Sequence, residues 1–154
     1  MPLSAEATHE KFKIYFVDIG LCLRILGVPL VQAFLEKNQI FVNRGGLAEQ
    51  LVAQEFLSLT PKNQTPALHY WHRESKSSQA EVDFVIEKDA QVIPVEVKSG
   101  HDGSMKSLHL FMQEKSVRNG IKISAYPYSV GVSGDKEIRT IPFYGIRGAL
   151  ANRT

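Results

Sequence analysis

Apolar residues recur at helical spacing over residues 45–59, where Leu47, Ala48, Leu51, Val52, Phe56 and Leu59 form one broad stripe. The break Asn43-Arg44-Gly45-Gly46 precedes this helix and Thr60-Pro61-Lys62-Asn63 ends it. From residue 66 the period changes to two. Residues 67–73 read as a strand, 74–80 as a polar loop, and Glu81–Glu87 and Val92–Lys98 as two strands joined by a tight turn at Asp89-Ala90. A helix over 104–116 follows, with Leu108, Phe111 and Met112 on one face and Ser104 at its N-cap. Residues 121–128 and 138–144 read as two further strands. The order helix, three strands, helix, two strands predicts an α/β domain with a mixed sheet.

The first forty residues are apolar but weakly periodic. Lys13-Ile14-Tyr15-Phe16-Val17 favours a strand, Leu21 to Gly27 a short helix ended by Gly27, and Val31 to Glu36 another. Two acids lie against the stripe of the 45–59 helix. Glu49 is at its edge and Glu55 near its middle. A carboxylate facing a core is costly unless it is paired, hydrogen-bonded or bound to metal. Snorkelling of Glu49 and a cap or basic partner for Glu55 satisfy that requirement as well as a functional role does.

The 81–98 hairpin concentrates the charged groups. With a two-residue turn, paired positions sum to 179, so Asp83 faces Glu96 and Glu81 faces Lys98. Alternation then places Val82, Phe84, Ile86, Ile93, Val95 and Val97 on one core face, and Glu81, Asp83, Glu96 and Lys98 together on the other. Opposed carboxylates repel. A shared proton, a cation such as Lys98 or a divalent metal offsets this. Mg²⁺ suits such oxygen ligands. It lowers the pKa of a bound water and stabilises charge on a phosphate. An adjacent ammonium orients that water. Asp83 followed by Glu96-x-Lys98 is therefore a kit for metal-dependent phosphodiester hydrolysis. A solvated polar face with a cross-strand ion pair is the plainer alternative.

Composition narrows the classes. The chain has 154 residues, 44% of them hydrophobic and 22% charged, which is one ordinary globular domain. No apolar run reaches the roughly 18–20 residues of a membrane span, so a membrane protein is not expected. The start has no basic or apolar signal region. The lone Cys22 has no disulfide partner, sits in an apolar run and reads as core, and points to a reducing, cytoplasmic compartment. The net charge of +2 conceals an asymmetry: residues 1–96 carry −3 and residues 97–154 carry +5. A basic half beside an acidic site suits a phosphate backbone, although the same groups scattered over solvated faces need no partner.

Asp83, twelve intervening residues, then Glu96-Val97-Lys98 resembles the PD-(D/E)XK motif of the restriction-endonuclease-like fold. Gly45-Gly46-Leu47-Ala48-Glu49 is similar to the Gly-x-x-x-Glu pattern on that fold's first helix. In order along the chain, Lys13 to Leu21, the helix from Gly46, Tyr70-Trp71-His72-Arg73, Glu81-Val82-Asp83-Phe84, Ile93 to Gly100 and Ile141-Pro142-Phe143-Tyr144 resemble a narrower family. That family is the domain of unknown function 4143, the C-terminal domain of prokaryotic AAA+ ATPases. The resemblance covers nearly the whole chain. Val82 stands where the motif name has Pro.

The resemblance implies an αβββαβ core with a mixed sheet flanked by helices. It assigns Glu49, Asp83, Glu96 and Lys98 to catalysis, the first three of them also to Mg²⁺ or Mn²⁺, and DNA as the substrate, with Glu55 as a neighbour. A non-catalytic nucleic-acid- or protein-binding domain on the same fold is the alternative. Residues 44–150 would be the nuclease-like domain and residues 1–43 a lead-in left from an ATPase module. No Gly-x-x-x-x-Gly-Lys-Ser/Thr loop occurs, so the chain is expected to lack that module, as a truncated gene, a cloned domain or a remnant would. His69 and His72, three apart on a strand, make a poor metal pair. Trp71 reads as a packing anchor, Arg73 as a candidate phosphate contact, and His101 as a loop residue after the motif.

Overall fold

A computed structural model describes residues 3–8, 10–28, 45–64, 66–75, 78–99 and 104–150. After a 3-10 turn at Leu3–Ala5 come helices α1 (Ile19–Ile25) and α2 (Gly45–Leu59). Strands β1 (His69–Ser75), β2 (Ser78–Lys88) and β3 (Gln91–Lys98) follow. Helix α3 (Lys106–Glu114) leads to β4 (Asn119–Ser124), β5 (Ser129–Ser133) and β6 (Lys136–Pro142), and a 3-10 turn precedes α4 (Ile146–Leu150). The six strands lie in the order β1-β2-β3-β4-β6-β5. Neighbours are antiparallel except β3 with β4 and β4 with β6. The sheet is therefore mixed, as the alternation of helices and strands predicts.

Helix α2 forms where the stripe places it. Its Ala48, Val52, Ala53 and Phe56 pack on Phe84, Val95, Val97, Ile121, Ile123 and Ile141. Helix α3 covers the opposite face with Leu108, Phe111 and Met112 against Val82 and Val85. Its N-cap is Met105, and the Ser104 hydroxyl takes the Lys106 N–H at 3.3 Å. A Cβ on Gly120 would come within 3.0 Å of the Met112 sulfur, so glycine lets α3 approach β4. A third cluster joins Cys22, Leu23 and Val28 to Leu47 and ties α1 to α2. Asp18 caps α1 by accepting the Leu21 N–H at 3.0 Å, and Gly27 leaves it at φ +66°.

Several expectations need correction. The run at residues 13–17 does not enter the sheet. The Gln50 side-chain amide takes its place as partner, donating to Phe16 O at 2.7 Å and accepting Phe16 N–H at 2.8 Å. Gln54 likewise accepts the Ile19 N–H at 2.9 Å. Strand β5 went unread because Ser129-Val130-Gly131-Val132-Ser133 is short, Gly-bearing and exposed on both faces. The polar stretch after residue 73 is largely strand, with β1 running to Ser75 and β2 starting at Ser78. The hairpin face carrying Glu96 is not solvated: Val85 and Pro94 are buried, because helices cover both sides of the sheet. The helix expected at Val31 to Glu36 and the residue His101 lie outside the described residues.

Candidate functional site

The β2–β3 turn is the two-residue turn expected, with Asp89 and Ala90 both at positive φ (52° and 59°). Pairing holds the 179 sum from Lys88↔Gln91 to Phe84↔Val95. Next to that last pair, Asp83 Oδ2 accepts the Val97 N–H at 2.7 Å, so a side chain enters where the ladder would continue. The cause lies on the other side of β2. Register with β1 passes from His69↔Val85 to Trp71↔Val82, leaving Tyr70 alone against Asp83 and Phe84. This bulge resets the alternation. Val82 faces α3 while Phe84, two residues on, faces α2.

Lys13 meets the acids here. Its Nζ is 2.6 Å from Glu81 Oε1, 3.2 Å from Glu49 Oε2 and 3.9 Å from Asp83 Oδ1. It also lies 5.3 Å from the centre of the Tyr70 ring. Glu96 is buried and takes Lys98 Nζ on Oε1 at 2.6 Å, while its Oε2 is buried with no hydrogen-bond partner. Glu81 is thus partnered by Lys13 rather than by Lys98. Four carboxyls face two ammoniums in this region.

Burial pushes the Asp83 carboxyl up to about 7, and the nearby Glu49 charge adds to the rise, against the Val97 N–H. Burial also raises Glu96, against the pull of Lys98. Burial acts to lower the Lys13 ammonium, but its hydrogen bond to Glu81 and the charge of Glu49 outweigh this and hold it above its ordinary value. The Tyr15 hydroxyl is buried, has no hydrogen-bond partner, and is raised by that burial. Its ring stacks on Phe84 at 5.7 Å. Lys13, Tyr15 and Asp83 line a cleft of about 1170 Å³ together with Tyr70, Trp71 and Phe111.

Asp83 and Glu96 offer hard oxygen donors. The unpartnered Glu96 oxygen and the excess of carboxyls suit a magnesium-like ion that keeps most of its waters and uses one or two carboxylates. Among the described residues, no three His, Cys, Asp or Glu side chains form a ready metal cage. Glu49 is engaged by Lys13.

The other candidates resolve individually. Glu55 is half-buried on α2 and enters none of the ion pairs among the described residues. Arg73 pairs with Glu114 at 2.7 Å, and Trp71 packs edge-on to Phe111 at 5.4 Å. His72 lies 3.9 Å from Glu74. Five basic residues of the second half have partners among the described residues: Lys115 with Glu6, Arg118 with Asp135, Arg139 with Glu137, Arg147 with Ser58, and Lys122 over the Tyr126 ring. Lys13 is the residue of the candidate site that the sequence did not single out. It alternates with Lys11 at the start of an apolar run, and nothing local connects it to acids on α2 and β2.

No described helix is long and apolar enough to cross a membrane. No curated protein and no solved structure matches the chain. One family does, the Domain of unknown function (DUF4143), over residues 44–144. That span holds Glu49, Asp83, Glu96 and Lys98 and leaves Lys13 before it. The match covers more than half of the sequence, and the chain belongs to the DUF4143 family.

Proposed function

We propose that this domain is a PD-(D/E)XK-type nuclease that hydrolyses DNA phosphodiester bonds with Mg²⁺ or Mn²⁺, and that it works alongside an AAA+ ATPase module. The observation that carries the reading is the buried Glu96 beside Lys98, with one Glu96 oxygen unpartnered, and the half-buried Asp83 on the neighbouring strand. Asp83 and Glu96 would hold the ion, with Glu49 completing or orienting the site. The bound ion would supply a water of lowered pKa and charge stabilisation at the phosphate. Lys98 places an ammonium next to Glu96, where it orients the attacking water and balances phosphate charge. The Val97 N–H holds the Asp83 carboxyl against rotation.

A non-catalytic binding domain on the same scaffold is the second reading. The ion pairs of Lys13 with Glu49 and Glu81 favour it, because they tie up part of the acid cluster without a metal. Cleavage of linear, branched and single-stranded DNA with Mg²⁺ or Mn²⁺ separates the two. The nuclease reading expects metal-dependent cleavage that falls by at least about a hundredfold in Asp83→Ala. Equal cleavage by wild type and variant, or none by either, sinks it.

A further inference from the structure

We propose that Lys13 is a built-in competitor of the divalent ion: its ammonium occupies the Glu49–Glu81–Asp83 cluster when metal is absent and leaves it when metal binds. The inference rests on the metal-site reading above and adds its regulation. Three observations carry it. The Lys13 ammonium contacts carboxylates from α2 and β2 within 2.6–3.9 Å, filling space among the acids. Nearby, Glu96 keeps a buried oxygen with no partner on a side chain only 6% exposed, so Lys13 and Lys98 together leave the acids under-compensated.

The third observation is the way Lys13 is held. Residues 11–18 form a strap outside the sheet that leads into α1. Side-chain amides of Gln50 and Gln54, the Tyr15–Phe84 stack and a Lys11–Glu74 ion pair fasten it. Phe12, Ile14 and Val17 on the strap point outward and are exposed. Such fastenings release one lysine without breaking a strand. A tethered ammonium acts at an effective concentration of millimolar or above, so it competes with a divalent ion in that range. A divalent ion interacts twice as strongly with each carboxylate at equal distance, so it wins once its concentration allows. A strap-borne cation therefore sets the metal concentration at which the site loads.

Mn²⁺ binding to the full chain, read from the free-ion electron paramagnetic resonance signal, tests this with Lys13→Met and Lys13→Arg. Folding of each variant is checked by circular dichroism. Lys13→Met binds Mn²⁺ on the order of tenfold tighter than wild type, and Lys13→Arg binds close to wild type. Independently of any variant, acetylation of Lys13 in the wild type, followed by mass spectrometry, rises at saturating Mn²⁺. Wild type that binds Mn²⁺ with Lys13 labelling unchanged, or a folded Lys13→Met that binds no tighter, overturns the competitor role and leaves the nuclease reading standing. Absence of Mn²⁺ binding in wild type and variants alike overturns both.

Discussion

Asp83 and Glu96 are both acids drawn into the protein, but their partners differ. Glu96 has a full ammonium at 2.6 Å. Asp83 relies on one backbone N–H and a lysine 3.9 Å away, and Glu49 adds a like charge. Its carboxyl consequently titrates at about 7 in the folded chain, against 3.8 in the unfolded one. Between those values the folded state holds a proton that the unfolded state has lost, so this group lowers stability as pH rises from about 4 to about 7. Asp83→Asn keeps an acceptor for Val97 and removes the charge. It is expected to stabilise the domain at pH 8 by roughly 2–4 kcal/mol, with the gain vanishing toward pH 4. Urea denaturation at several pH values measures this, and a pH-independent difference would show that burial of the charge is not the cause. The acids themselves were legible from the residue order. Their unequal compensation was not, because it depends on how far each lies from a cation contributed by another element.

At the scale of elements, helix α2 and the β2–β3 hairpin were readable because period and turn chemistry are local. The strap was misread for an equally physical reason. Its residues favour a strand, but Gln50 satisfies its backbone before any strand does, and a buried polar residue on a core-facing helix gives no sign of which chain segment it binds. Gln50→Ala leaves the Phe16 N–H and C=O without that partner. A loss of about 1–3 kcal/mol is expected, with faster amide hydrogen exchange at Phe16 and Ile19 than elsewhere. Uniform acceleration across the sheet would instead mean that the strap and the sheet open together. The bulge at Asp83-Phe84 is the other element-level device. It turned one expected core face into two, sending Val82 to α3 and Phe84 to α2, and it brought Asp83 to the gap beside Val97.

Across the whole molecule, one sheet separates two apolar layers, and the candidate site lies where the β2–β3 ladder gives way beside α2 and the strap. Phe56 packs edge-on to Phe84 at 5.2 Å and so joins α2 to the site strand. Phe56→Ala is expected to cost roughly 3–5 kcal/mol and to lower the urea midpoint with the slope of the transition unchanged. A changed slope or two transitions would show that the layers do not unfold as a unit. Lys115, Arg118 and Arg139 of the basic second half each pair with an acid among the described residues. Periodicity, the Asp-Ala turn and the Asp83…Glu96-x-Lys98 spacing were enough by themselves to determine a mixed α/β domain and to single out its acids, because each is a property of neighbours along the chain. The placement of Lys13 among those acids, the bulge that presents Asp83, and the desolvation that raises its carboxyl were decided only by tertiary structure. They arise between segments tens of residues apart, whose meeting no local pattern records.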